Sequence, residues 1–289
     1  MRLLRTRAEL AQWRAEQQAA GVGIAFVPTM GNLHDGHLRL VEQARNTSSL
    51  KAQAVLVSIF VNPLQFNDPG DLARYPRTEA EDCAQLAAHG VDAVFLPSVE
   101  TVYLDATADG TGLQVSVQPG ALAERWEGAV RPGHFAGVTT IVAKLFHLVR
   151  PAIALFGEKD FQQLQIVRRM VRDLDFETTV ISVPTERAPD GLALSSRNRF
   201  LTPADRQVAP QLYAQLQRAE TRIRQGVDSV DQVLAESRDV LAAAGFEIDY
   251  FVFCDVDTLL PRRDAGPGIL LAAARLGAVR LLDNSRVDL

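Results

Sequence analysis

Two histidines three residues apart, His34 and His37, stand where a strand-like run gives way to a helix-like one. They belong to Pro28-Thr29-Met30-Gly31-Asn32-Leu33-His34-Asp35-Gly36-His37-Leu38, directly after the apolar run Gly23 to Pro28. A strand, a Gly-containing turn and a helix N-terminus together make an anion site. The first backbone N–H groups of the helix have no intrahelical partner, and the helix dipole favours negative charge. On the first helical turn the two imidazoles share a face, where they could donate hydrogen bonds to phosphate oxygens as charge develops. The same residues would also serve as a helix cap with two incidental histidines. A zinc pair is the third possibility, and no third ligand stands at suitable local spacing.

Four further segments carry polar groups at element ends. Asn62 and Gln65, in Ile59-Phe60-Val61-Asn62-Pro63-Leu64-Gln65-Phe66, are neutral amides suited to directed bonds with hydroxyls and a carboxylate. An Asn-Pro turn with solvated side chains is the alternative. The segment Arg131-Pro132-Gly133-His134-Phe135-Ala136-Gly137 reads as a turn entering a helix, with Gly137 permitting close packing; His134 is not counted as catalytic. Gly157-Glu158-Lys159-Asp160 is a second strand–Gly–helix junction, followed by Phe161-Gln162-Gln163. Lys159 there is a flexible point charge for phosphates, and Asp160 either caps the helix or contacts a ligand. In Leu194-Ser195-Ser196-Arg197-Asn198 two hydroxyls and a guanidinium could grip a polyphosphate, or the segment could be a solvated linker.

H-x-G-H at a strand–helix junction resembles the nucleotidyltransferase superfamily, which includes class I aminoacyl-tRNA synthetases; S-S-R-N stands where those enzymes keep their mobile K-M-S-K-S loop. The longer P-T-M-G-x-L-H-x-G-H is similar to the pantothenate synthetase family. So are I-F-V-N-P-x-Q-F, R-x-G-H-F-x-G-V, G-E-K-D and S-S-R-N, all in family order from Pro28 to Asn198. The resemblance implies an ATP-dependent ligase that joins pantoate to β-alanine through pantoyl adenylate, releasing pyrophosphate and then AMP. It implies ATP contacts from Met30, Gly31, Asn32, Leu33, His34, Asp35, Gly36 and His37, and from Gly157, Glu158, Lys159 and Asp160. Glu186, Leu194, Ser195, Ser196 and Arg197 complete that set. His34, His37, Lys159 and Arg197 are the catalytic candidates, because they would neutralise charge as it shifts. Gln65 and Gln163 would bind pantoate or β-alanine, with Asn62 and Met30 in support, and Phe60 and Phe66 would wall a pocket for the gem-dimethyl group.

The resemblance further implies Mg²⁺ accompanying ATP, with ligands unassigned, and a homodimer. Asn62, Gln65 and Gln163 at family positions speak against a cytidylyltransferase. The intact phosphate-binding set speaks against a catalytically silent nucleotide sensor. One departure stands out. Many members have a small apolar residue, often Val, at Glu186 and an acidic one at Ala188, near the adenine end of ATP. The expectation is that Glu186 turns its side chain to solvent, or to Arg187, while its backbone does the recognition.

The elements that must position these residues alternate. Strand-like runs Gly23–Pro28, Ala54–Val61, Val91–Leu96, Ala152–Phe156 and Thr178–Val183 are interleaved with helix-like Leu38–Ser48, Phe135–Leu148 and Phe161–Leu174. That alternation predicts an α/β fold, a Rossmann-like parallel sheet with helices on both faces, whose ligands bind at the strands' carboxyl ends. After Pro184 the pattern changes to two long helices, Pro203–Gln225 and Ser229–Ala244, then short strands Tyr250–Cys254, Ile269–Ala274 and Val279–Leu282. The expected domains are therefore 1–184, binding nucleotide and pantoate, and 185–289, a smaller α+β lid.

Composition bounds the function. With a net charge of -5 and 22% charged residues, the 289-residue chain lacks the cationic excess of a general nucleic-acid binder. Cys83 and Cys254 have neither C-x-x-C nor zinc spacing and read as free thiols. The N-terminus lacks a secretory apolar core, and no apolar run approaches the roughly 20 residues needed to span a bilayer. The expectation is a soluble, cytoplasmic enzyme without nucleic-acid or membrane partners.

Overall fold

The computed structural model describes residues 1–47, 53–67, 69–104, 112–226 and 228–288. They form two compact units. Met1–Glu158 with Gln163–Pro184 make the first, and Lys159–Gln162 with Thr185–Leu289 the second. The residues Lys159–Gln162, at the start of a helix, thus group with the C-terminal part of the chain.

The first unit is built on six strands: β1 (Arg2–Leu4), β2 (Gly23–Thr29), β3 (Gln53–Ile59), β4 (Ala93–Phe95), β5 (Ile153–Gly157) and β6 (Thr179–Val183). All neighbours are parallel, in the order β1-β4-β3-β2-β5-β6. Strands buried on both sides need apolar residues at successive positions, which is why Ala25, Phe26 and Val27 are all fully buried. Ala25, Val27, Val55, Val57, Ile153 and Leu155 share one core with Leu38 and Val41 of the helix Asp35–Asn46. The alternate residue Phe26 points the other way, edge-on to Phe146 of the helix His134–Val149 at 6.4 Å between centroids. The sheet is therefore covered by helices on both faces, an α/β Rossmann-like arrangement. Chain order reverses between β2 and β5, so the loop after β2 and Gly157 at the end of β5 leave adjacent strands at the switch point where such folds bind ligands.

The second unit is an antiparallel sheet, β7 (Glu247–Cys254), β8 (Gly268–Leu276) and β9 (Val279–Val287), in that order. Leu212, Leu216, Ala219 and Ile223 of the helix Gln211–Gln225 recur at helical spacing and pack on Phe251, Phe253, Leu270 and Ala272.

Two expectations need correction. The run Pro203–Gln225 is not one helix: Pro210 lacks an N–H and ends the first piece, leaving Pro203–Val208 and Gln211–Gln225. The helix placed at Leu38–Ser48 runs Asp35–Asn46, and Ser48 lies outside the described residues. The structure also adds β1 and the helices Arg7–Ala19 and Glu79–Ala88 to the first unit. Both cysteines are free; burial pushes the Cys83 thiol up, away from reactivity. Among the described residues no helix is long and apolar enough to cross a membrane.

Candidate active site

The loop after β2 is fixed through its backbone. Thr29 donates its hydroxyl to Ser58 O at 2.7 Å and accepts from Gly31 N–H at 3.2 Å, tying the ends of β2 and β3 to the turn. Gly31 then takes φ +77°, open to glycine at little cost, and a Cβ there would lie 2.9 Å from both Asp82 Oδ2 and Ile59 Cγ2. Asp82, on the helix Glu79–Ala88 and 1% exposed, accepts from Asn32 N–H at 2.9 Å, Leu33 N–H at 2.8 Å and the Thr78 hydroxyl at 3.1 Å. A buried carboxylate is tolerable only when its lone pairs are used in this way. No signal in the sequence marks Asp82 among the neighbouring acids.

His34 is the N-cap of the next helix rather than part of its first turn, and the two histidines form a reciprocal capping box. His34 Nδ1 accepts from Gly36 N–H at 3.2 Å, and His37 Nδ1 accepts from His34 N–H at 3.3 Å. The rings lie 4.1 Å apart between centroids. An Nδ1 that accepts from a backbone N–H carries no proton, so each neutral ring keeps its proton on Nε2 as a donor. The cap uses Nδ1 of each ring, so the phosphate-donor reading would fall on the other nitrogen, Nε2. Asp35 is exposed on the first turn, and Met30, Asn32, Gly36 and His37 are half-buried.

Gln65 sits in a cradle. Asn62, 1% exposed, donates to Gln65 Oε1 at 3.0 Å, and Gln65 Nε2 lies 3.0 Å from Met30 Sδ. The Gln65 carbonyl accepts from Arg131 Nη2 at 3.0 Å and from His134 Nδ1 at 2.8 Å, and Glu127 pairs with Arg131. The Arg131–His134 segment therefore holds the backbone of Gln65. Gly137 lets the helix His134–Val149 approach this point: a Cβ there would be 2.3 Å from Leu64 O. Phe60 is buried, edge-on to Tyr103, and Phe66 is half-buried against Tyr75. Gln163 is half-buried at the start of the helix Phe161–Asp173; among the described residues no hydrogen bond joins it to Gln65.

In the second unit β9 holds the backbone of Lys159 and the side chain of Arg187. Asn284 donates to Lys159 O at 2.9 Å, while the Lys159 ammonium lies 3.7 Å from Asp160. Asp283, 3% exposed, receives both arms of Arg187 at 2.6 and 2.8 Å, and the guanidinium stacks 3.3 Å over the Tyr213 ring. Burial pushes the Asp283 carboxyl up against the opposing pull of Arg187. Since Arg187 is committed to Asp283, Glu186 has its exposed side chain in solvent, and its carbonyl accepts from Leu194 N–H at 2.9 Å. Ser195 caps the short helix Ser196–Phe200 through Arg197 N–H at 3.3 Å, and Asn198 donates to Ala193 O at 2.9 Å. One signal did point at Asp283: alternation along β9 puts it on the inward side with Val279 and Leu281, where an acid is out of place. Gly157 and Glu158 remain with the first unit at the end of β5.

The sequence profile of the family described as pantoate–beta-alanine ligase matches residues 2–286. The chain belongs to the pantoate–β-alanine ligase family. A crystal structure of pantothenate synthetase from Thermus thermophilus is 46% identical with a TM-score of 0.89, each chain being covered in full. A pantoate–β-alanine ligase from Francisella tularensis, crystallised with beta-gamma ATP and β-alanine, is 32% identical with a TM-score of 0.80, covering 99% of this chain and 97% of that one. The family match spans both compact units, from β1 into β9.

Proposed function

We propose that the chain condenses pantoate with β-alanine in two steps. A pantoate carboxylate oxygen attacks the α-phosphorus of ATP, the bond to the β-phosphate breaks, and pyrophosphate leaves. The β-alanine amine then attacks the acyl carbon, loses a proton as the amide forms, and AMP departs with the bonding electrons. The observation that carries this reading is the histidine capping box. It fixes two Nε2–H donors at a helix N-terminus, an arrangement suited to oxyanions whose charge grows in the transition state. Lys159 and Arg197 would add positive charge, and Gln65, with Gln163, would bind the acid. Met30–His37, Gly157–Asp160, Glu186 and Leu194–Arg197 would hold ATP.

Mg²⁺ is taken as arriving with ATP. The described residues hold no group of three or more His, Cys, Asp or Glu that could cage a metal, and Mg²⁺ is commonly bound through substrate phosphates with few protein ligands. The free thiols fit a reducing cytoplasm, and the family resemblance supports a homodimer. Pantoate-dependent exchange of pyrophosphate into ATP tests the first step, and AMP formation with and without β-alanine tests the second. His37→Ala should lower the exchange rate by roughly 10²–10³-fold while ATP binding in calorimetry changes little. Unchanged exchange in that variant would remove His37 from the chemistry.

A further inference from the structure

Tyr103 lies outside every motif that marks the site. It is completely buried, its ring packs edge-on to Phe60, and its hydroxyl donates to Asn62 Oδ1 at 2.7 Å. A phenylalanine would fill the same apolar space without a hydroxyl to desolvate, so the chemistry of this position lies in that one bond.

The polarity of the bond propagates. Asn62 Oδ1 also accepts from Leu64 N–H at 3.3 Å, and Asn62 Nδ2 donates to Gly137 O at 3.2 Å. A backbone N–H can only donate and a backbone carbonyl can only accept, so the Asn62 amide has one permitted orientation, and Tyr103 must be the donor. The second proton of the Asn62 amide faces Gln65, 3.0 Å away, which requires the Gln65 carbonyl on that side. The Gln65 NH₂ is then turned the other way, where its neighbour is Met30 Sδ at 3.0 Å, a weak acceptor that a stronger one displaces. Burial raises the Tyr103 phenol above its ordinary range, so the donor keeps its proton at any working pH.

We propose that Tyr103 is a positioning residue which, through Asn62, fixes Gln65 as a hydrogen-bond donor toward an oxygen of the carboxylic acid substrate. This rests on the reading of Gln65 as an acid-binding residue. The relay selects an acceptor, such as a carboxylate or hydroxyl oxygen, and rejects a donor at that point, because a reversed Gln65 amide would set two NH₂ groups against each other.

A double-mutant cycle tests it, with the KM for pantoate, the KM for ATP and kcat measured in Tyr103→Phe, Gln65→Ala and the combined variant. Tyr103→Phe should raise the pantoate KM on the order of tenfold with the ATP KM unchanged, and should add nothing in the Gln65→Ala background. Independent, multiplying effects would overturn the relay, as would an unchanged pantoate KM in Tyr103→Phe when Gln65→Ala raises it. If Gln65→Ala itself leaves the pantoate KM unchanged, the acid-binding assignment of Gln65 fails first and the donor role falls with it. Asn62→Asp gives a check independent of Tyr103. It replaces the donor facing Gln65 by an acceptor, so Gln65 must turn its carbonyl outward, and the pantoate KM should rise at least as far as in Gln65→Ala. A smaller rise would also overturn the proposal.

Discussion

Asp82 in the first unit and Asp283 in the second are both buried carboxylates outside every motif, and each fastens a loop that carries candidate ATP contacts. They do so on different terms. Asp82 spreads its charge over neutral donors, two of them backbone N–H groups of Asn32 and Leu33. Asp283 meets one full positive charge, the Arg187 guanidinium, in a two-pronged pair. The loop after β2 is therefore held by its main chain, and the shape of its backbone matters more than its side chains except where glycine or histidine is required. The segment around Arg187 is held by a side chain, so substitution should be costly at Arg187 and mild at its solvent-facing neighbour Glu186.

The largest expected effect sharpens that contrast. Asp283→Ala leaves the Arg187 guanidinium without its counter-charge, and breaking a buried pair from one side costs about 3–5 kcal/mol. Urea denaturation should show a loss of that order, and one below about 1 kcal/mol would mean that the pair is effectively solvated. Asp82→Ala should be milder. It leaves no uncompensated charge: the part-buried Asn32 N–H can turn to water, the buried Leu33 N–H is stranded at a cost of about 1–3 kcal/mol, and the loop loosens. Its ATP affinity in calorimetry should fall along with its stability. A variant that loses stability but binds ATP as before would separate Asp82 from the nucleotide loop and break the comparison. Glu186→Val should matter least, shifting ATP affinity by roughly 1 kcal/mol or less, with no loss of preference over GTP. A collapse of that preference would show that the Glu186 side chain reads the base after all.

Much of the architecture was legible because its signals are local. Apolar runs at β2 and β5, each followed by a helix-spaced pattern, imply a parallel sheet whatever the loops do. His34, His37, Asn62 and Gln65 were legible because strand ends and helix starts are where unpaired backbone groups gather. The single long helix expected over Pro203–Gln225 failed for an equally local reason, the missing N–H of Pro210, which an apolar pattern does not register. Asp82, Tyr103 and Asn284 were not legible, since each acts on a partner 41 to 125 residues away and carries no local mark of it.

The sequence alone determined the family, the two kinds of sheet and the residue types that could meet phosphate and acid, because composition and short-range spacing encode all of these. Only the tertiary structure decided which ring nitrogen of His34 and His37 carries the proton, which way the Gln65 amide points and what anchors Arg187. Each of these depends on which donor and acceptor lie within about 3 Å, and such distances exist only after distant parts of the chain have packed together.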